Sequence, residues 1–174
     1  MAYEQHIHAA ADSGVIARCA VITLSDTRDE LMDTSGRSIR TMLEQNGHKV
    51  TRYAILPDEP QKLSTLLDEL LASQEADVIL TNGGTGISKR DNTIAVIESK
   101  LTIQLPGFGE LFRMLSWEQI GSGAMLSRAV GGVAGIPAHR KLIFAMPGST
   151  KAVDLAMTKL ILPELKHLLS EIRK

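Results

Sequence analysis

Aromatic residues are scarce in this chain: one Trp, two Tyr and three Phe among 174 residues. So few rings leave little to stack on the bases of single-stranded nucleic acid. A single cysteine, Cys19, excludes an internal disulfide and fits a reducing compartment, with the cytoplasm as the default. An excess of either charge is lacking too. The 19 basic and 20 acidic side chains leave a net charge of −1, which argues against coating nucleic acid or binding an acidic membrane surface. No apolar run is long enough to cross a bilayer. The stretch from Met1 to Ser13 carries acids and histidines without an apolar centre, so it does not read as a signal peptide. Several chemical signatures are missing as well. There is no G-x-x-x-x-G-K-[ST] of a P-loop and no G-x-G-x-x-G after the first apolar run. Nor is there a Cys/His cluster with zinc spacing or a G-x-S-x-G elbow.

What is present is an ordinary globular composition, 44% hydrophobic and 22% charged. Residues 1–14 are expected to form a flexible arm in which His6 and His8 are solvated rather than a metal pair, and 15–174 a single domain. Ala17 to Leu24 is an apolar run of strand length. Asp33 or Thr34 then caps a helix whose apolar face is Ile39, Met42 and Leu43, and Asn46-Gly47 ends it. Lys49 to Leu56 is a second strand, and Pro57-Asp58-Glu59-Pro60 a turn. Leu63, Leu66, Leu67, Leu70 and Leu71 recur at amphipathic helical spacing. Asp77 to Leu80 reads as a third, buried strand. Later segments predict a helix from Glu110 to Ile120 with Leu111, Met114 and Leu115 on one face. A strand follows at Ala129 to Ala134, returning through 135–140 into Lys141 to Met146, which puts one antiparallel member in the sheet. Met114 and Trp117 fit either a subunit contact or ordinary core packing. His139 and His167 are expected at the surface. The alternation predicts an α/β sandwich around a mostly parallel sheet.

In such a sheet ligands gather at the carboxyl ends of the strands. Those ends carry Ser25-Asp26, Asp58-Glu59, Pro147-Gly148-Ser149-Thr150 and the stretch Thr81-Asn82-Gly83-Gly84-Thr85-Gly86. A glycine-dense turn between a strand and a helix exposes backbone N–H groups to which the helix dipole adds partial positive charge, a setting suited to phosphate. Asp91 sets a carboxylate beside it, suited to a divalent cation that bridges phosphate oxygens. The competing reading is a structural turn whose glycines satisfy only backbone geometry. Asp58 is likewise either a second metal-holding acid or a turn residue bonding its own backbone. Lys89 or Arg90 is placed to stabilise developing charge. Two acids around one Mg2+, with backbone donors on a triphosphate, suit attack of an acceptor oxygen at phosphorus.

Eight motifs in this order resemble the molybdenum cofactor biosynthesis proteins MoaB and Mog, whose domain recurs in gephyrin and plant Cnx proteins. They are Ser25-Asp26, Thr34-Ser35-Gly36, Pro57-Asp58-Glu59, Thr81 to Gly86, Arg90-Asp91-x-Thr93, Pro106 to Glu110, Leu126 to Ala129 and Met146 to Thr150. Phe112 to Ser116 and the stretch from Ala145 to Ala152 look more like the MoaB branch. The resemblance implies a three-layer α/β/α sandwich with one antiparallel strand, assembling as a homo-oligomer, trimer or hexamer. The activity it implies is transfer of adenylate from Mg-ATP to the terminal phosphate of molybdopterin. By position, Asp91 and Asp58 match the family's catalytic and Mg2+-binding acids. Gly83, Gly84, Thr85 and Gly86, with Ser25 and Asp26, would hold the nucleotide, and Ser127, Pro147, Gly148 and Ser149 would face the pterin. Asn82 departs from the smaller or hydroxyl residue frequent there. Two other activities occur on related domains: non-catalytic molybdopterin binding or scaffolding, and CinA-like nucleotide pyrophosphate hydrolysis. Other enzymes of the cofactor pathway are conceivable partners.

Overall fold

A computed structural model describes residues 14–174; apart from Gly14, the expected arm with His6 and His8 lies outside the described residues. Four strands run in parallel: β1 (Arg18–Leu24), β2 (Lys49–Leu56), β3 (Val78–Asn82) and β6 (His139–Met146). β1, β3 and β6 are near-continuous apolar runs, as strands covered on both faces must be, whereas β2 at the sheet edge is mixed. β5 (Val130–Ile136) pairs antiparallel with β6 and with β4 (Leu101–Gln104). The order is β2-β1-β3-β6-β5-β4, in which β5 alone runs against the rest. This is the expected α/β/α sandwich with one antiparallel strand.

Alternation along the strands divides the core in two. Val21, Leu80 and Phe144 face α1 (Thr34–Gln45), α4 (Pro106–Ile120), α5 (Thr150–Ala156) and α6 (Leu162–Ile172), meeting Ile39, Leu43, Phe112, Val153 and Leu165. Ile22, Ile79 and Ile143 face α2 (Pro60–Ala72) and α3 (Thr93–Lys100), meeting Leu63, Leu67, Leu70 and Ile97. Capping falls to Asp33, whose side chain accepts from Gly36 N, and Gly47 leaves α1 with φ 78°. Pro60 starts α2 where no backbone donor is needed, and its leucine stripe is buried as expected. Between α5 and α6 the chain widens into a π turn, Met157–Ile161, just ahead of Pro163.

Four differences from the sequence expectations have physical causes. Thr81 and Asn82 belong to β3, because their backbones continue the ladder opposite Ile22 and Thr23 of β1. α4 begins at Pro106, not Glu110, since proline fits the first turn. Its buried residues are then Phe108, Gly109, Phe112 and Ser116, while Leu111 and Met114 face outward. Met114 and Trp117, 54% and 62% exposed, are therefore not core residues of this chain. β4 escaped prediction because it follows α3 without a turn and is mostly exposed. His139 is exposed as expected, whereas His167 is half-buried and its Nδ1 lies 3.0 Å from Glu164 Oε2. Among the described residues no helix is long and apolar enough to cross a membrane.

Candidate functional site

The parallel register brings Leu56, Leu24, Asn82 and Met146 side by side, so the segments that follow them share one rim of the sheet. Between β1 and β3 the chain order reverses, and there the crevice of an open α/β sheet lies. Gly83 sits at that point with φ 96°, and a Cβ on it would lie 2.2 Å from Leu24 O. Only glycine admits this approach. A Cβ on Gly148 would in turn lie 3.1 Å from Gly83 Cα, which brings the Pro147-Gly148 turn against the glycine turn.

Both sequence-predicted acids meet this turn. Gly84 has φ 61°, and a Cβ there would fall 2.8 Å from Asp58 Oδ1 and 2.3 Å from Thr93 Oγ1. A Cβ on Gly86 would fall 2.7 Å from Asp91 Oδ2. Asp58 Oδ1 is buried and has no hydrogen-bond partner among the described residues. Burial, then the charges of Asp26 and Asp91, push the Asp58 carboxyl above its usual range, with Arg90 opposing. Asp91 is held below that range by the Ser88 hydroxyl and by the amides of Ser88 and Gly86, Ser88 N donating to Oδ2 at 2.8 Å. The Arg128 charge adds to the effect. Asp26 ties the acids together: its Oδ1 accepts from Asp58 N at 3.1 Å, and its Oδ2 pairs with Arg90. Lys89 is exposed beside this pair.

An orphaned buried carboxylate oxygen next to a second acid wants a cation or a donor. Among the described residues no three His, Cys, Asp or Glu side chains gather closely enough to hold a metal alone. The residues therefore fit a hard divalent ion that takes only part of its oxygen shell from protein and the rest from phosphate and water. Ser25 Oγ accepts from the backbone N–H groups of Thr27 and Arg28 and shapes its own loop on this rim. Ser149 Oγ accepts from Ala152 N at 3.3 Å and caps α5. Ser127 immediately precedes Arg128, whose guanidinium reaches the glycine turn.

Residues 20–167 match the family described as "Probable molybdopterin binding domain". The Molybdenum cofactor biosynthesis protein B of Bacillus cereus is 50% identical over 158 residues, 90% of this chain and 91% of that protein. The chain belongs to the molybdopterin-binding domain family. A crystal structure of a Molybdenum cofactor biosynthesis protein B superposes with TM-score 0.85 at 49% identity, covering 91% of this chain and 97% of the other. The tungsten cofactor synthesizing protein MoaB from Pyrococcus furiosus superposes with TM-score 0.83 at 34% identity, covering 91% and 98%.

Two supports of this molybdopterin-binding domain were not legible as site residues. Asp33, expected only as a possible cap, is fully buried and anchors a polar network under the rim. Its Oδ2 accepts from Thr23 Oγ1 at 2.5 Å and from the Tyr53 hydroxyl at 2.6 Å. Burial opposes its ionisation, but these donors and the Gly36 amide win and hold its carboxyl low. Asn82 joins by donating to Thr23 Oγ1 at 2.8 Å, while its Oδ1 is buried with no hydrogen-bond partner among the described residues. Arg28 bridges outward, 3.5 Å from Asp33 Oδ1 and donating to Gly148 O at 3.0 Å. The second support is Arg128, quoted in a motif without a role. The signal for Arg128 was a charged residue inside a motif whose partners lie 37 to 43 residues away, and for Asp33 an acid just before the Thr34-Ser35-Gly36 motif.

Proposed function

We propose that this protein acts in molybdenum cofactor biosynthesis, in the cytoplasm, as a molybdopterin adenylyltransferase. The observation that carries the reading is the unpartnered Asp58 Oδ1 at Gly84, with Asp91 set against Gly86 of the same phosphate-suited turn. The relatives' names supply the pathway and the pterin; the paired acids and the turn supply the argument for a nucleotide.

In the reaction, a terminal phosphate oxygen of molybdopterin attacks the α-phosphorus of ATP. The bond from that phosphorus to the bridging oxygen breaks, and pyrophosphate leaves with its electron pair. Asp58 and Asp91 would hold Mg2+, which when bound neutralises charge on the triphosphate oxygens. In the turn from Gly83 to Gly86, Gly83 N–H is given to Met146 O at 3.1 Å and the Gly86 amide to Asp91. The amides of Gly84 and Thr85 would therefore meet the phosphates, strengthened by the start of α3. Asp26 orients Asp58 through its backbone N–H and keeps Arg90 at the mouth of the site. The Pro147-Gly148-Ser149 turn, lying against Gly83, and Ser127 would line the pterin side. Catalysis here is positioning and charge neutralisation, with no covalent enzyme intermediate.

Assembly into a homo-oligomer, trimer or hexamer, belongs to the same proposal. Leu111, Met114, Trp117 and Ile120 leave α4 with an exposed apolar side that a second copy would cover. A monomer by light scattering counts against that part. The reaction itself is tested by incubating the protein with molybdopterin, Mg-ATP and pyrophosphatase. Adenylylated pterin is expected, and Asp91→Asn should fold normally yet make it at least about 100-fold more slowly. ATP breakdown without pterin would favour hydrolysis, and binding without turnover a scaffold.

A further inference from the structure

Arg128 stands between the 3-10 turn Gly121–Leu126 and β5, and the reaction proposed above gives it no part. Its Nε donates to Thr85 O at 2.8 Å, and its Nη2 donates to Gly86 O and, at 3.1 Å, to Asp91 O. One planar group thus bonds the start and the end of the loop that closes on Asp91. Between those ends, Ile87, Ser88, Lys89 and Arg90 are exposed and add little packing of their own. The loop is also tied by its own bonds: Asp91 accepts from Ser88 N and returns its N–H to Ser88 O at 3.1 Å, Asn92 Nδ2 donates to Lys89 O and Arg90 O, and Arg90 pairs with Asp26. None of these joins Thr85 and Gly86 to Asp91 O as Arg128 does. A lysine offers the same charge without the fork that reaches carbonyls in two directions.

We propose that Arg128 is the positioning residue of the site: it locks the 85–91 loop so that the Asp91 carboxylate stays aimed beside Gly86. The inference rests on the adenylyl-transfer reading for its kinetic consequence, but not for its structural one. Arg128 touches only backbone carbonyls of the loop in the bonds described here, so it acts through Asp91 rather than on the substrate.

The test uses the full chain with Arg128→Lys and Arg128→Gln. Amide hydrogen exchange over residues 86–91 is expected to rise about tenfold or more in both, an effect that requires no activity. With Mg-ATP and molybdopterin, kcat should fall about 100-fold, because a displacement near 1 Å costs that much, while KM for ATP stays within about threefold. Unchanged loop exchange, or wild-type kcat in Arg128→Lys, overturns the inference. A wild-type protein that forms no adenylylated product overturns the functional reading instead, and loop exchange still decides whether Arg128 holds the loop.

Discussion

Replacing Asp58 by asparagine distinguishes a ligand-holding carboxylate from a structural one. A structural acid is paired, so removing its charge weakens the fold. Asp58 Oδ1 has no partner, and burial followed by Asp26 and Asp91 disfavours its ionised form, with Arg90 offsetting part. Removing the charge should therefore stabilise the ligand-free protein. Solvent screens this partly exposed side chain, so the gain is that of a partly exposed charge, about 0.5–1 kcal/mol. At about 2–4 °C per kcal/mol for a chain of this size, Tm rises by about 1–4 °C at neutral pH. The pH dependence follows from proton binding. The folded protein holds the Asp58 proton more tightly than the unfolded chain, so wild-type stability falls as pH rises from the unfolded aspartate value, about 3.9, through the raised folded one. The advantage of asparagine appears across that window and is absent below it. Calorimetry of both proteins over this range, with product formation measured alongside, checks the argument. A variant less stable than wild type at neutral pH, or one that still makes product at the wild-type rate, would refute it.

Gly84→Ala should lower stability by about 2–4 kcal/mol in urea denaturation, combining left-handed strain of about 1 kcal/mol with overpacking of about 1–3 kcal/mol. The new Cβ meets Thr93 Oγ1 and Asp58 Oδ1, so wild-type stability would show that the turn is looser than described. Gly107→Ala, with nothing within 4 Å, is the neutral control. Asp33→Ala removes the α1 cap and leaves the Thr23 and Tyr53 hydroxyls without their buried acceptor. A loss of about 2–4 kcal/mol is expected by chemical denaturation, and a loss below about 0.5 kcal/mol would mean that water replaces the carboxylate.

Much of this protein can be read along the chain because the relevant physics is local. Apolar runs of strand length mark β1 and β6, helical spacing marks α1 and α2, and the glycine turn announces itself through residues that only close backbone approach requires. Motif order is enough to place the chain in its family, and that placement points to Asp58 and Asp91. Locality also explains the misses. β4 is four residues running straight out of α3, too short and too exposed for periodicity to register. The inward face of α4 was misassigned because its orientation depends on where Phe108 and Phe112 meet Phe144, not on its own apolar count.

The residue pattern by itself determined the sandwich and pointed to the strand ends where Asp58 and Asp91 would act. Only the tertiary structure decided that Asp58 Oδ1 is buried without a partner among the described residues, that Asp33 carries the polar network under the rim, and that Arg128 bonds a loop whose start lies 43 residues away from it. Spacing encodes which way a side chain leaves its own helix or strand. Burial and hydrogen-bond pairing are set by segments arriving from elsewhere in the chain, so they exist only once the sheet has brought those segments together.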